Sequence, residues 1–331
     1  MSLLIGVTLL MGADRRRMTA VRAAMSTVTA MRYGAFIPQG WRLDLVGIDR
    51  SDQWPTMLGV AKTIESLGYE SVWVYDHFHT VPVPTQESSY EAWTLMAALA
   101  SSTETVRLGQ MCTSNSYRNP AYLAKIAADI DVISNGRVDM GIGAGWYEHE
   151  YLGYGYPFPK PSVRIGQLGE GVEIMRRMWT EDEVHFDGRY YQLAGAISRP
   201  KPIQEPIPIW VAGGGEQLTL RVAARHADYT NYAMRLEEFV HKSEVLAGHM
   251  AAIGRDFDEI VRSSNYTVIL GETEADAAAK VDEYVARIAD LAGVEKAEAA
   301  RANAHKIGLI GTPEQVVDQL LPWVAAGMSY A

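Results

Sequence analysis

The feature that most limits the fold is a repeated unit, a short and mostly apolar run followed by a stretch whose apolar residues recur at helical spacing. Such runs lack the polar residue at every second position that a half-solvated strand carries. They predict parallel strands covered on both faces by crossover helices. Strands one to four are residues 32–37, 71–75, 106–111 and 138–142. Strands five, six and seven follow at 207–212, 229–232 and 264–270.

The segments between carry helix signals. Met57, Val60, Ala61, Ile64 and Leu67 share one face over residues 54–67, and Gly68 follows as a terminating glycine. Ser88 or Ser89 can cap a helix to about Ser102, and Pro120 begins another where its missing N–H costs nothing. Further helices are expected over 164–179, 218–227 and 236–253, with one or two over 273–305. A last helix starts at the Thr312 cap with Pro313 and runs to about Ala326. Residues 143–161 read as a long loop rich in Gly, Tyr and Pro, and 184–192 as a surface hairpin.

This order admits a doubly wound sheet or a (β/α)8 TIM barrel. No G-x-G-x-x-G follows strand one, which removes the main signature of the doubly wound dinucleotide folds. The barrel is the expected fold, and it places function on the loops after the strands' C-terminal ends.

Composition narrows the partners. The 331 residues include 30 Lys+Arg against 40 Asp+Glu, a formal charge of −10 and a pI near 5.3. That balance argues against a nucleic-acid partner, whose phosphates need a basic face. No apolar run approaches the ~20 residues of a membrane-spanning helix, so no membrane partner and a cytoplasmic location are expected. Cys112 is the only cysteine, which excludes an intrachain disulfide framework.

The two ends of the chain stand apart from this pattern. In residues 1–30 an apolar run precedes Arg15, Arg16 and Arg17, the reverse of a secretory signal. The expectation is an N-terminal extension, residues 1–30, ahead of a barrel domain of residues 31–331. At the other end only Gly327-Met328-Ser329-Tyr330-Ala331 is left for strand eight, where ~5–6 residues are typical. A truncated eighth strand is therefore expected. A second possibility lays residues 3–10 beside strand one in the place of strand eight.

The strand ends hold the candidate chemistry. Asp76-His77 after strand two reads either as an acid/base pair or as a turn-capping Asp beside a surface imidazole. Ala212-Gly213-Gly214-Gly215 after strand five offers bare N–H groups at a helix start, suited to a phosphate, or else a tight turn needing positive φ. A metal reading would use His77, His79 and His149, but the i, i+2 pair lies on a loop with no third ligand at familiar spacing, so no metal is expected. Cys112 has no histidine partner in the local sequence and reads as a small packed residue.

Taken in order, these stretches resemble the luciferase-like flavin oxidoreductase superfamily, and within it the branch that uses the deazaflavin coenzyme F420. The matching residues are Tyr75-Asp76-His77-Phe78, Val106-Arg107-Leu108-Gly109 through Asn115, Asn119-Pro120 and Asn135-Gly136-Arg137. They continue with Gly141-Ile142-Gly143-Ala144-Gly145-Trp146, Arg199-Pro200-Lys201-Pro202 with Pro206-Ile207-Pro208-Ile209, and Val211-Ala212-Gly213-Gly214.

The resemblance implies a barrel with an insertion after strand seven and an isoalloxazine-type ring across the strand ends. It places Asp76 and His77 beside the ring, and a non-proline cis peptide at Met111–Cys112, with Ser114 in the same loop. Gly145 and Trp146 would line the ring after strand four, and Ala212, Gly213 and Gly214 would hold the cofactor phosphate. His77, Glu148 and His149 are the candidate catalytic groups. Relatives acting on sugar phosphates carry Glu where this chain has Trp146, which puts that chemistry in doubt and points to an apolar or aromatic substrate wall. The implied activity is F420-dependent hydride transfer to or from a small-molecule substrate, by a homodimer. The alternatives are an FMN-dependent monooxygenase and a non-catalytic flavin-binding protein on the same fold.

Overall fold

The computed structural model of the chain describes residues 31–232 and 234–331. These form two compact units, one of residues 33–232 and 242–261, the other of residues 31–32, 234–241 and 262–331.

The first unit is built on a parallel sheet. Its strands are β1 (Gly34–Phe36), β2 (Ser71–Val74), β3 (Arg107–Gln110), β4 (Val138–Gly143), β5 (Ile209–Ala212) and β6 (Tyr229–Asn231). They pair in that order, each parallel to the next. A doubly wound sheet reverses direction at its middle. Here the order never reverses, as barrel winding requires.

The connecting helices include α1 (Arg50–Ser66), α2 (Ala92–Ser102), α3 (Pro120–Ile133), α4 (Glu148–Gly153), α5 (Pro161–Thr180) and α6 (Thr219–His226). Asn119 caps α3 through hydrogen bonds from Ala121 N–H and Tyr122 N–H, with Pro120 in the first turn. The surface hairpin forms from Val184–Asp187 and Gln192–Ala196.

One strand interior is filled by indoles that neighbouring glycines make room for. Trp73 and Trp210 meet edge to face at 4.8 Å, and Trp210 stacks on Tyr229 at 4.1 Å. A Cβ on Gly34 would lie 2.3 Å from Trp73 Nε1, and one on Gly109 2.3 Å from its six-membered ring. Any larger residue on either flanking strand would displace the indole.

Several sequence expectations need correction. Glu91, not Ser88 or Ser89, caps α2, its carboxylate accepting from Trp93 N–H and Thr94 N–H at 3.2 and 2.6 Å. The loop expected over 143–161 contains α4, anchored by the fully buried Tyr151. Strand seven is not 264–270. A short strand covers Val261–Ser263, while Val268–Leu270 pairs in parallel with Leu309–Gly311 in a separate two-stranded sheet. The physical reason lies in the second unit. There Ile269 and Ile310 pack on a core of Val281, Val285, Ile288 and Ala297, which takes up the apolar side of that run.

The helices Glu274–Ala292, Val294–Ile307 and Pro313–Ala325 lie in the second unit, the last opened by a Thr312–Gln315 capping box, and the helix Leu236–Ala251 begins in it. At the chain's end Tyr330 makes parallel bridges to both Arg32 and Ser263. Arg32 N–H donates to the Ser329 carbonyl and Ala331 N–H to the Arg32 carbonyl, each at 3.0 Å. The extension, residues 1–30, and the strand proposed within it lie outside the described residues. The Arg32 edge it was offered for is hydrogen-bonded to residues 329–331. No helix among the described residues is long and apolar enough to cross a membrane.

Candidate active site

All the candidate residues lie on the C-terminal side of the β1–β6 strands, in the larger unit. The β1 end sets the first wall. Gln39 is fully buried and clamps β2 by accepting from Tyr75 N–H and donating to the Tyr75 carbonyl, both at 2.7 Å. A tight turn follows, in which Asp44 accepts from the N–H groups of Gln39 and Gly40. Gly40 has φ of +98°, and a Cβ there would meet the Ser88 carbonyl oxygen at 1.8 Å. The turn lays Trp41 flat on His77, with ring centroids 4.3 Å apart and planes within 3°.

After β2 the Asp-His pair splits into two tasks. Asp76 is buried, and both its oxygens are engaged. Arg118 Nη1 donates to Oδ2 at 2.7 Å and Nη2 to Oδ1 at 2.9 Å, while Ser114 N–H donates to Oδ2 at 2.9 Å. Arg118 also pairs with Glu91. Asp76 thus ties the β2 end to the turn after β3.

His77 turns the other way. Its Nδ1 lies 2.8 Å from Glu150 Oε2. Glu150 is wholly buried. Its Oε1 accepts from Phe78 N–H at 2.7 Å and His79 N–H at 2.8 Å, and its Oε2 also accepts from the Tyr117 hydroxyl at 2.8 Å. Burial pushes the Glu150 carboxyl up, but the His77 bond and charge, the His79 N–H and the Tyr117 hydroxyl outweigh it and hold it below the usual range. Burial and the neighbouring Glu150 charge push the Tyr117 hydroxyl strongly upward, so it remains a donor.

Glu148 and His149, the sequence candidates, are exposed in the first turn of α4. An α-helix turns about 200° in two residues, so Glu148 and Glu150 face opposite ways. The inward carboxylate is Glu150, which sequence reading missed. His149 Nδ1 instead sits 2.8 Å from His79 Nδ1. No group of three or more His, Cys, Asp or Glu residues placed to hold a metal occurs among the described residues.

The β3 and β4 ends pack together. The Met111–Cys112 bond is cis, as the resemblance implied. Burial, with the Asp76 charge adding, pushes the Cys112 thiol up to about 12, so it stays protonated at neutral pH. Ser114 Oγ lies 3.0 Å from the Tyr151 hydroxyl. Gly145 has φ of +77°, and a Cβ there would sit 1.8 Å from the same hydroxyl. Trp146 follows, 61% exposed, stacked on Tyr147 at 5.1 Å and edge-on to His77 at 5.7 Å. Around the cis bond, Gln110 Nε2, Asn115 Oδ1 and Ser116 Oγ are buried without a protein partner among the described residues.

The β5 end differs from its sequence reading in one respect. The glycines do not open α6 directly, because a turn at residues 216–218 intervenes. Gly213, at φ of +118°, spends its N–H on the Asn231 carbonyl at 2.9 Å, so it extends the sheet and offers no donor to a ligand. Ala212 ends β5. The N–H groups of Gly214 and Gly215 have no partner among the described residues. A Cβ on Gly214 would lie 2.5 Å from both Lys242 Nζ and the Tyr232 carbonyl oxygen. Lys242 has no hydrogen-bond or ion-pair partner among the described residues either. Two free N–H groups beside an unpaired ammonium form a cradle that fits a phosphate.

Comparisons with known proteins bear on this arrangement. The profile of the luciferase-like monooxygenase family matches residues 31–330. An F420-dependent glucose-6-phosphate dehydrogenase from Nocardia farcinica is 30% identical over 293 residues, covering 83% of this chain and 86% of that protein. One from Amycolatopsis mediterranei is 27% identical over 291 residues, covering 80% and 84%. Among solved structures, an F420-dependent secondary alcohol dehydrogenase, in complex with an F420-acetone adduct, superposes with a TM-score of 0.76. It shares 21% identity and covers 91% of this chain and 92% of that one, a likeness of fold.

Proposed function

Because the chain belongs to the luciferase-like monooxygenase family, with its TIM-barrel fold, we propose that it is a coenzyme F420-dependent oxidoreductase. It moves a hydride between the deazaflavin and a small organic substrate. The observation that carries this reading is the His77–Glu150 pair at the end of β2, a proton-handling imidazole held by a buried carboxylate. The similarity to two F420-dependent glucose-6-phosphate dehydrogenases supports the choice of cofactor.

The deazaflavin supplies a carbon centre that accepts and donates hydride and reacts poorly with oxygen. The protein's residues do the rest. Gly214, Gly215 and Lys242 would hold the phosphate, and the cis Met111–Cys112 segment with Ser114 would back the ring. Trp41 and Trp146 exclude water from the reacting carbon. His77 takes the proton of a substrate hydroxyl, or returns it to a carbonyl oxygen. Glu148 and His149 are read as outer polar groups at the mouth.

The substrate is read as an apolar or aromatic alcohol or carbonyl compound rather than a sugar phosphate. Support comes from Trp146, exposed beside His77 and stacked on Tyr147. The stretch from Val268 to Gly311 is read as an insertion after strand seven, and Met328–Tyr330 as the shortened eighth strand. The Tyr330 bridges to Arg32 and Ser263 support the latter. The family resemblance supports a homodimer in the cytoplasm, with residues 31–331 as one domain.

The test is turnover. Purified protein with oxidised F420 and a panel of aliphatic, aromatic and phosphorylated alcohols should bleach the deazaflavin absorbance with apolar members and not with glucose 6-phosphate. Bleaching by the sugar phosphate alone would reverse the substrate assignment.

A further inference from the structure

The F420 reading gives His77 a proton to handle, and the next inference rests on that reading while concerning a different residue. We propose that Glu150 is a positioning residue that fixes the tautomer of His77, with the proton of the neutral ring on Nδ1 and the lone pair on Nε2. Nε2 is then the nitrogen that takes the proton of an alcohol O–H and gives it back to the carbonyl oxygen in the reverse direction.

Donor and acceptor chemistry places the proton. An ionised carboxylate can only accept, so the nitrogen 2.8 Å from Glu150 Oε2 must donate. Glu150 cannot swing away. Oε1 is held by two main-chain N–H groups, Phe78 and His79, and Oε2 by the Tyr117 hydroxyl as well as by His77. Four donors fill a carboxylate that has no exposure to water. Rotating the imidazole would leave one acceptor position of a buried anion unmet, which is costly. The parallel Trp41 ring, 4.3 Å away, limits tilting.

The other ionisable groups near His77 are committed elsewhere. Asp76 is paired with Arg118, and His79 faces His149. Tyr147 lies edge-on to the His77 ring at 6.1 Å and donates its hydroxyl to the Thr80 carbonyl. Within this unit Glu150 is the acidic group in contact with the imidazole. A histidine whose Nδ1 is tied to a carboxylate presents Nε2 for catalysis, as in Ser-His-Asp hydrolases.

The experiment needs no cofactor. Nitrogen NMR of the chain labelled with 15N-histidine, assigned by the signal lost in His77→Gln, reads the His77 tautomer directly at neutral pH. The expected spectrum shows a protonated Nδ1 and a bare Nε2 in the wild type, and a mixture in Glu150→Gln. With F420 and substrate, Glu150→Gln should lower kcat about a hundredfold while KM for the deazaflavin moves less than about threefold. A wild-type ring protonated on Nε2 overturns the proposal, and that spectrum decides even if the variant misfolds. So does an unchanged tautomer in Glu150→Gln. A chain that turned over no F420 would sink the functional reading alone, since the tautomer is measured without it.

Discussion

His77 and Glu150 stand 73 residues apart in the sequence and 2.8 Å apart in space. Between them they join the β2 end to α4, so the geometry at the proton-handling imidazole depends on two loops folding onto each other. The other partners of Glu150 are the N–H groups of Phe78 and His79 and the hydroxyl of Tyr117, none of which can be replaced by water at a carboxylate this deeply buried.

His77→Ala should lower kcat by about a hundredfold and leave the F420 dissociation constant within about threefold. On the proposed reading the imidazole meets the proton, while the phosphate would be held at Gly214, Gly215 and Lys242. Steady-state kinetics with a fluorescence titration would check it. An unchanged kcat with a weakened cofactor would move His77 into binding alone.

The pH dependence of stability has a definite sign. The Glu150 carboxyl titrates below its ordinary value of 4.5, so its contribution is present above that pH and is lost as pH falls through the lower folded value. The difference in Tm between wild type and Glu150→Gln should therefore shrink as pH falls below 4.5. A difference that did not shrink as pH fell well below 4.5 would contradict the ionised state.

Arg118→Met leaves Asp76 as an unpaired buried anion and removes one partner of Glu91. Loss of about 3–5 kcal/mol of folding stability is expected, measurable by urea denaturation. A loss below about 1 kcal/mol would mean the pair behaves as a surface bridge.

At the cradle, Lys242→Met should raise the F420 dissociation constant about tenfold, the value of one charge-assisted hydrogen bond. Gly214→Val should abolish binding, because its side chain would occupy the place of Lys242 Nζ and strike the Tyr232 carbonyl. Retained affinity in both variants would put the phosphate at another loop.

Much of the larger unit was legible because its signals are local. The mostly apolar runs at 71–75, 106–111 and 138–142 read as covered parallel strands, and the two charges inside them, Arg107 and Asp139, pair with each other across neighbouring strands, while Asn119-Pro120 carries its own helix start. What was missed depends on long-range geometry. Val268–Leu270 is as apolar as a central strand, and only its packing partners in the second unit determine which sheet it joins. Glu148, His149 and Glu150 are adjacent in sequence, and the phase of one short helix decides which of them faces inward. The apolar Tyr151 and Leu152 beside Glu150 were the available cue, and they do not fix that phase. Gly213 and Gly214 look alike in sequence, yet one spends its N–H on the sheet and the other leaves it free.

Whether this barrel binds a deazaflavin is settled by equilibrium titration of the purified protein with oxidised F420 and, separately, with FMN. Saturable F420 binding at about micromolar or tighter affinity is expected, weakened by Lys242→Met, with FMN binding at least about tenfold weaker. Tight binding of FMN with none of F420 would contradict it and make the chain a flavin enzyme of the same fold.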